Sequence, residues 1–537
     1  MTTDQNYQQI YRVGGMLDAG FVGQITYTIS LDQVYDELDI HFSFDKRLYS
    51  ESDVTPELID RLQTLCTAKY DAPTYPVEEF RQTILHEMKT EIHTMAELND
   101  NFIGCIHRQL TDRHMLYTKE FTSDGCLAQD TFSGVLKVTV LVFNVLLDNT
   151  QYTLTVSGHP VGQGVIAPNF NLMDTVKTAA GNTGASNDAG SADNSCEAES
   201  VPASAVAMAG SSGVSGAGSA ATAGDSSTTG SSSAGNTVTA STRFKRLELH
   251  NHTVESDGSL TCQELTEYLA ADHVDAFAIT DHNTTSGQKK IEQLLEEKHY
   301  PISLIRGMEY TTYFGHILCL NLAKYVPWNS IDQHRPELLF EAAREKGALV
   351  GIAHPFSYGD PFARGCRFEM TISDYSKVDF IEIFNNPEPL HEVNERGTNL
   401  WMSLIFSGYQ ITATSGMDLH NRAKLAGCYA TYIEGKSGGN IASELDTAIH
   451  THRTWVSKGA LLLTEVLPET NELLLTFTDA HKPGFAVPKT AQVVLKGKDK
   501  TFTTSVSLDK PVRVSLNQLS GTCLLYTSDA ADDLTRV

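Results

Sequence analysis

The chain runs to 537 residues, 41% apolar and 20% charged, with a formal net charge of −26. It is too long for one hydrophobic core, and its composition is that of ordinary soluble domains diluted by polar linker, so two to four domains are expected. Its acidity argues against an extended electrostatic grip on duplex nucleic acid, which needs many Lys and Arg contacts, but leaves room for a small phosphorylated substrate held by metals.

The N-terminal stretch MTTDQNYQQIYRV lacks the basic and then apolar regions of a secretory signal. Residues 1–165 read as a β-rich domain with a helical insert. Ile25, Tyr27 and Ile29, then Leu38, Ile40, Phe42 and Phe44, alternate as half-buried strands do. A second strand pair is predicted over residues 135–147 and 152–156, with Asp148, Asn149 and Thr150 at the bend. Between the pairs, Phe80, Ile84, Met88, Ile92 and Met95 form an apolar stripe at helical spacing, a packing face rather than a cofactor box. His86-Glu87 does not open a zinc-protease helix, because the fourth residue after His86 is Thr90. The most apolar stretch, residues 138–147, is too short to span a bilayer and carries Asn144, so no membrane partner is expected. Nine cysteines stand singly with no C-x-x-C pair, which speaks against a zinc ribbon or disulfide framework and for a cytoplasmic location.

Residues 166–243 form a low-complexity linker. From 181 to 242 there is no aromatic residue, Lys or Arg, and such a Gly/Ser/Ala/Thr tract cannot bury enough apolar surface to fold. As a disordered coil its ends would average roughly 40–45 Å apart.

Residues 244–460 alternate strand and helix in the manner of an α/β barrel. The apolar segment LELH precedes a helix opened by a capping box at Thr261 and Glu264 and running to about His273. Strands are then expected at DAFAIT, ISLIRG and GHILCLNL. A helix stopping at Gly347 precedes ALVGIAH, then FIEIF, a long helix to Gly408, ITATSG and CYATYI. Residues 461–522 turn to short strand patterns, suggesting a small β-sandwich piece. The stretch 523–537, CLLYTSDAADDLTRV, resembles the translation of a sequencing-library adapter and is expected to be non-native.

Nine side chains able to bind metal stand in order within the barrel segment. They are His250 and His252 in HNH, Asp257 in SDG, His282 in TDHN, Glu309 in GMEY, His316 in FGHI, His354 in AHP, and Asp418 with His420 in DLH. Most fall just past an apolar strand, where a β/α barrel gathers its active site. His316 instead begins an apolar run, so a hairpin returning from Glu309 would deliver it. An H-x-H at a strand end sends both imidazoles to one face, and Asp418 and His420 repeat that spacing. Singly, each motif is more often a hydrogen-bonded core residue; jointly and in order, they point to a metal cluster. Six imidazoles suit zinc, manganese or iron rather than magnesium or calcium.

These motifs are similar to those of the polymerase-and-histidinol-phosphatase (PHP) metal-dependent hydrolases, and within them to the carbaryl-hydrolase-like branch. The resemblance implies a distorted seven-stranded (β/α)7 barrel, flanked here by β-rich domains, holding two to three divalent ions (Mn, Zn or Fe). It implies that His250, His252, Glu309 and Asp418 hold the first metal, and that Glu309 bridges to a second completed by His316 and His354. Asp257, His282 and His420 would hold a third. Some relatives have a histidine in place of Asp257, which leaves that site's metal open. Three divalent ions against three carboxylates leave about +3, a charge that wants an anion. The expected reaction is phosphoester hydrolysis by a metal-bridging hydroxide, with Glu309, Asp418, His354 and Arg364 as the catalytic set. Arg364 and Arg367 are candidate phosphate clamps that read equally as surface ion pairs. Asn283 and Asn385 are candidates for orienting ligands or capping turns.

The leading expectation is therefore a phosphoesterase acting on small phosphate esters, nucleotides or short oligonucleotides, of the phosphatase or 5′–3′ exonuclease type. Two others stand beside it: hydrolysis of carboxyl or carbamate esters, and a non-catalytic metal-binding scaffold.

Overall fold

The structure, a computed structural model, describes residues 7–70, 76–108, 110–146, 148–161, 242–329, 331–385, 392–482, 487–497, 500–518 and 523–529. The linker expected over residues 166–243 lies outside these except for its last two residues.

Alternating apolar residues build the N-terminal elements β1 (Gln8–Leu17), β2 (Gly23–Phe44), α1 (Pro56–Tyr70), α2 (Val77–Glu87), β3 (Glu91–Leu98), β4 (Asn101–Ile106), β5 (Asp112–Tyr117), β6 (Phe132–Asn144) and β7 (Thr150–Pro160). The strands form one sheet in the order β1-β7-β2-β6-β3-β4, with β5 on β2. The two strands expected at 25–29 and 38–44 are one 22-residue strand. Its first half pairs with β6, its second with β7 and β5, and the register breaks near Leu31 and Tyr35, where the partner changes.

The predicted helical stripe is corrected in its second half. Helix α2 ends at Glu87, Met88 is already extended (φ −77°, ψ 124°), and Ile92 and Met95 lie in β3 between β6 and β4. Three residues apart on a strand, they point to opposite faces. Ile92 packs with Leu136, Val138 and Val140 in the sheet's own core, whereas Met95 packs with Leu141, Phe143, Met308 and Tyr310 against the barrel. Burial on both faces removes the alternation that marks a strand.

The barrel segment comprises β8 (Thr242–Glu248), α3 (Cys262–Ala271), β9 (Ala276–Ile279), α4 (Ser286–Lys298), β10 (Ser303–Thr312), β11 (Gly315–Leu320), α5 (Glu337–Glu345), β12 (Leu349–Ile352), β13 (Phe380–Asn385), α6 (Glu392–Phe406), β14 (Thr412–Gly416), β15 (Ala430–Lys436), α7 (Ile441–His450) and β16 (Thr454–Ser457). The capping box forms: Thr261 Oγ1 accepts from the Glu264 N–H, and the Glu264 carboxylate accepts from the Thr261 N–H. The sheet has nine strands, not seven, in the order β14-β13-β12-β11-β10-β9-β8-β15-β16. Neighbours β8–β9–β10 and β12–β13–β14 run parallel, while the β10–β11 hairpin, β11–β12 and both pairings of β15 are antiparallel. Its ends come together through side chains: Ser415 N–H donates to Thr431 Oγ1 (2.9 Å) and Thr454 Oγ1 to Ala413 O (2.8 Å). The sheet is thus nearly closed and barrel-like, with mixed strand direction. Among the described residues, no helix is long and apolar enough to cross a membrane.

The C-terminal piece holds β17 (Ala460–Leu467), β18 (Glu472–Asp479), β19 (Thr490–Gly497), β20 (Thr501–Ser507), β21 (Val512–Ser515) and β22 (Cys523–Asp529). Two three-stranded sheets, β17-β18-β21 and β20-β19-β22, share an apolar core that includes Leu473, Leu475, Val493 and Leu495. The segment set aside as adapter-like contributes the backbone of β22 along β19.

Candidate metal centre

Backbone pairing at one end of the barrel gathers the predicted ligands. The segment after β8 bridges to the segment after β14: His252 N–H donates to Leu419 O (3.0 Å) and Leu419 N–H to His250 O (3.1 Å). That sets His250 and His252 beside Asp418 and His420. A second bridge pairs His282 with Glu309. The β10–β11 hairpin sets Thr311 opposite His316, as the sequence suggested. His354 follows β12, and its N–H donates to Glu382 Oε2 (3.1 Å). Asp257 sits in a loop held by Asp281, whose carboxylate accepts from Thr253 N–H, Thr253 Oγ1 and Ser256 Oγ (2.7–2.8 Å). Gly258 lies so close to the His252 backbone that a Cβ there would stand 2.4 Å from its carbonyl oxygen, so this turn needs glycine.

All nine predicted ligands meet in one region. His250 Nε2 and His252 Nε2 lie 3.1 and 3.3 Å from Glu309 Oε2, and 3.4 and 3.0 Å from Asp418 Oδ1. The other oxygen, Glu309 Oε1, lies 2.9 Å from His316 Nδ1 and 3.1 Å from His354 Nε2. Asp257 Oδ1 lies 3.2 Å from His420 Nε2 and 3.6 Å from His282 Nε2. His250 Nε2, His252 Nε2, Asp257 Oδ1, Glu309 Oε2 and Asp418 Oδ1 are buried and have no hydrogen-bond partner among the described residues. Unpaired buried polar atoms cost about 1–3 kcal/mol each, so a cluster aimed inward at these spacings fits divalent cations.

The electrostatics agree. Burial alone would raise Glu309, but His250, His316 and His282 hold it well below the usual carboxylate range. Asp418 and Asp257 are likewise depressed against burial, by His250 and His420 in one case and His282 and His107 in the other. Burial works against charge on His420, yet Asp418 and Asp257 raise it to about 10.

Of the other candidates, Asn283 bridges strands, donating to Thr311 O (2.9 Å) and accepting from Thr311 N–H (3.0 Å). Asn385 donates to Glu382 Oε2 (3.0 Å). Arg364 forms an ion pair with Asp360 (2.9 Å), and Arg367 stacks on Tyr70 and Phe356.

Sequence reasoning missed the supporting shell. Glu382 receives His250 Nδ1 (3.0 Å), the carboxylate–imidazole pairing that fixes a metal-ligating tautomer. An acidic residue inside the apolar run FIEIF was the available signal. It also missed the N-terminal sheet. His107 Nε2 lies 3.4 Å from Asp257 Oδ2, and its ring stacks on His282 at 4.1 Å. Gly125 (φ +80°) donates its N–H to Glu255 Oε2 (3.0 Å), and its carbonyl accepts from Thr284 Oγ1 (2.9 Å). Nothing in a lone histidine of β-rich sequence signals that contact.

Residues 7–160 match a family of unknown function, DUF6669. An uncharacterized protein of Methanocaldococcus jannaschii is 30% identical over 112 residues, 21% of this chain and 58% of that protein. A 5′-3′ exoribonuclease of Haemophilus influenzae is 36% identical over 141 residues, 25% of this chain and 50% of that enzyme. The chain thus spans about half the length of these relatives. Among solved structures, it is similar to a two-domain protein from Bacteroides vulgatus containing a predicted PHP-like metal-dependent phosphoesterase. That match is 15% identical with TM-score 0.32, over 54% of this chain and 95% of the other. Of the proteins named here, one is described as containing a predicted PHP-like metal-dependent phosphoesterase and one as an exoribonuclease, and the carbaryl-hydrolase-like branch is not among them.

Proposed function

We propose that the chain is a metal-dependent hydrolase of phosphate esters, acting on small esters, nucleotides or short oligonucleotides. The observation that carries this is Glu309, whose Oε2 faces His250, His252 and His282 while its Oε1 faces His316 and His354. A carboxylate so placed would be able to serve as a ligand to two cations. His250, His252, Glu309 and Asp418 would hold one ion, Glu309, His316 and His354 a second, and Asp257, His282 and His420 a third. Such ions supply Lewis-acid activation of water near neutral pH and neutralise charge on the phosphate. The imidazole-rich donor set favours zinc, manganese or iron.

The chain's own residues hold this geometry. Glu382 orients His250, Thr311 Oγ1 meets His282 Nδ1 at 2.5 Å, and Asp281 stiffens the loop bearing Asp257. Full burial of His250, His252 and Glu309 strengthens every charge interaction there. The exoribonuclease relatives support a nucleotide or short oligonucleotide as substrate, and the net charge of −26 disfavours long duplexes. Arg364 is retained only as a candidate phosphate contact, since it would have to leave Asp360. Free cysteines suit work in the cytoplasm.

Metal content by plasma emission spectrometry, with release assays on matched phosphate and carboxylate or carbamate esters, tests the proposal on wild type and His252→Ala. At least two ions per chain with phosphate release lost in the variant is the expected result. Turnover of only the carbon esters would replace phosphorus with carbon as the target. Absence of metal after reconstitution with zinc, manganese or iron would overturn the whole reading.

A further inference from the structure

The N-terminal sheet presents a buried polar cluster to the barrel. On β3 the odd-numbered residues face the barrel, as Met95 shows, and Glu91 and His93 share that parity. His107, just after β4, joins them. Glu91 Oε1 lies 3.1 Å from His93 Nε2, and the His93 and His107 rings are 3.9 Å apart. All three side chains are buried: Glu91 is 7% exposed, His93 0% and His107 4%. Each can offer a ligand atom within 4.8 Å of the other two, the same closeness that groups His250, His252, Glu309 and Asp418. His107 Nδ1 is buried with no hydrogen-bond partner among the described residues, while its Nε2 faces Asp257.

From this arrangement we infer that Glu91, His93 and His107 form a further cation site, built wholly by the N-terminal domain beside the barrel's metal centre. The donor set, two imidazoles and one carboxylate, is that of a site for zinc or a similar first-row divalent ion, with a fourth position left for another ligand. Oxygen-seeking magnesium and calcium are disfavoured by the imidazoles. The site shares a wall with the third ligand set, because His107 contacts Asp257 and stacks on His282. An ion there places positive charge next to Asp257, which His107 contacts. It also accounts for polar residues in the middle of an otherwise apolar interface formed by Met95, Cys105, Leu141 and Phe143.

The test is anomalous diffraction at the zinc edge from crystals of the full chain reconstituted with zinc alone. The expected result is a peak among the three residues, about 2.0–2.2 Å from their ligand atoms, separate from any peaks in the barrel. No peak there in crystals whose barrel ligands carry zinc would overturn the inference, leaving a hydrogen-bonded buried cluster. A peak there with none in the barrel would keep this site and leave manganese or iron as the barrel's ions. Zinc content offers a second measurement on Glu91→Gln with His93→Asn. About one ion per chain fewer than wild type, at equal secondary structure, is expected; equal zinc content would count against the site.

Discussion

The barrel mouth and the C-terminal sandwich bury opposite kinds of side chain. At the mouth, His250, His252, Glu309, Glu382 and Asp281 are almost wholly buried. In the sandwich, the buried residues between 460 and 518 are all apolar among the described residues, with Leu475, Val493 and Leu495 at the centre. Burying a polar group without a partner costs free energy, whereas burying a leucine releases it. The mouth accumulates the costly kind and the sandwich the favourable kind.

Substitutions can break or sharpen that contrast. The largest effect is expected at the mouth. His252→Ala removes a residue that faces both Glu309 and Asp418, and should cut phosphate release by on the order of a thousandfold or more, about 4 kcal/mol, with the fold intact by circular dichroism. Retained release would show that the mouth is not where hydrolysis happens.

In the sandwich, Leu475→Ala should lower unfolding stability by about 2–5 kcal/mol in denaturant titration while release per folded molecule stays unchanged. A drop in the rate of the folded fraction would give the sandwich a part in the reaction. Glu382→Gln keeps shape but weakens the hold on His250. It should lower metal affinity about 10–100-fold in chelator competition, which by linkage removes about 1.4–2.7 kcal/mol from the stability of the metal-loaded protein. The smallest effect is expected at Arg364→Ala, which breaks a half-exposed pair with Asp360 and should cost below about 1 kcal/mol of stability. A tenfold rise in KM at unchanged kcat would instead place Arg364 on the substrate.

The barrel was the legible part of the chain. Most of its candidate metal ligands lie just past short apolar strands, so strand ends could be located and the nine residues named; the capping box at Thr261 and the hairpin carrying His316 formed as read. The resemblance implied seven strands, and the sheet has nine because β11 and β15 enter it running against the rest. In the N-terminal domain, Ile92 and Met95 fit a helical stripe because the strand they occupy is buried on both faces. Period alone does not separate those cases.

Local sequence thus determined which segments are strands around the site and which side chains offer nitrogen and oxygen to a cation. Those properties depend on neighbours a few residues away. Tertiary structure decided what stands behind and beside them. Glu382 reaches His250 from 132 residues away, and His107 meets Asp257 only because the N-terminal sheet packs on the barrel. Contacts between distant segments are set by how whole faces fit together, and no short motif encodes that fit.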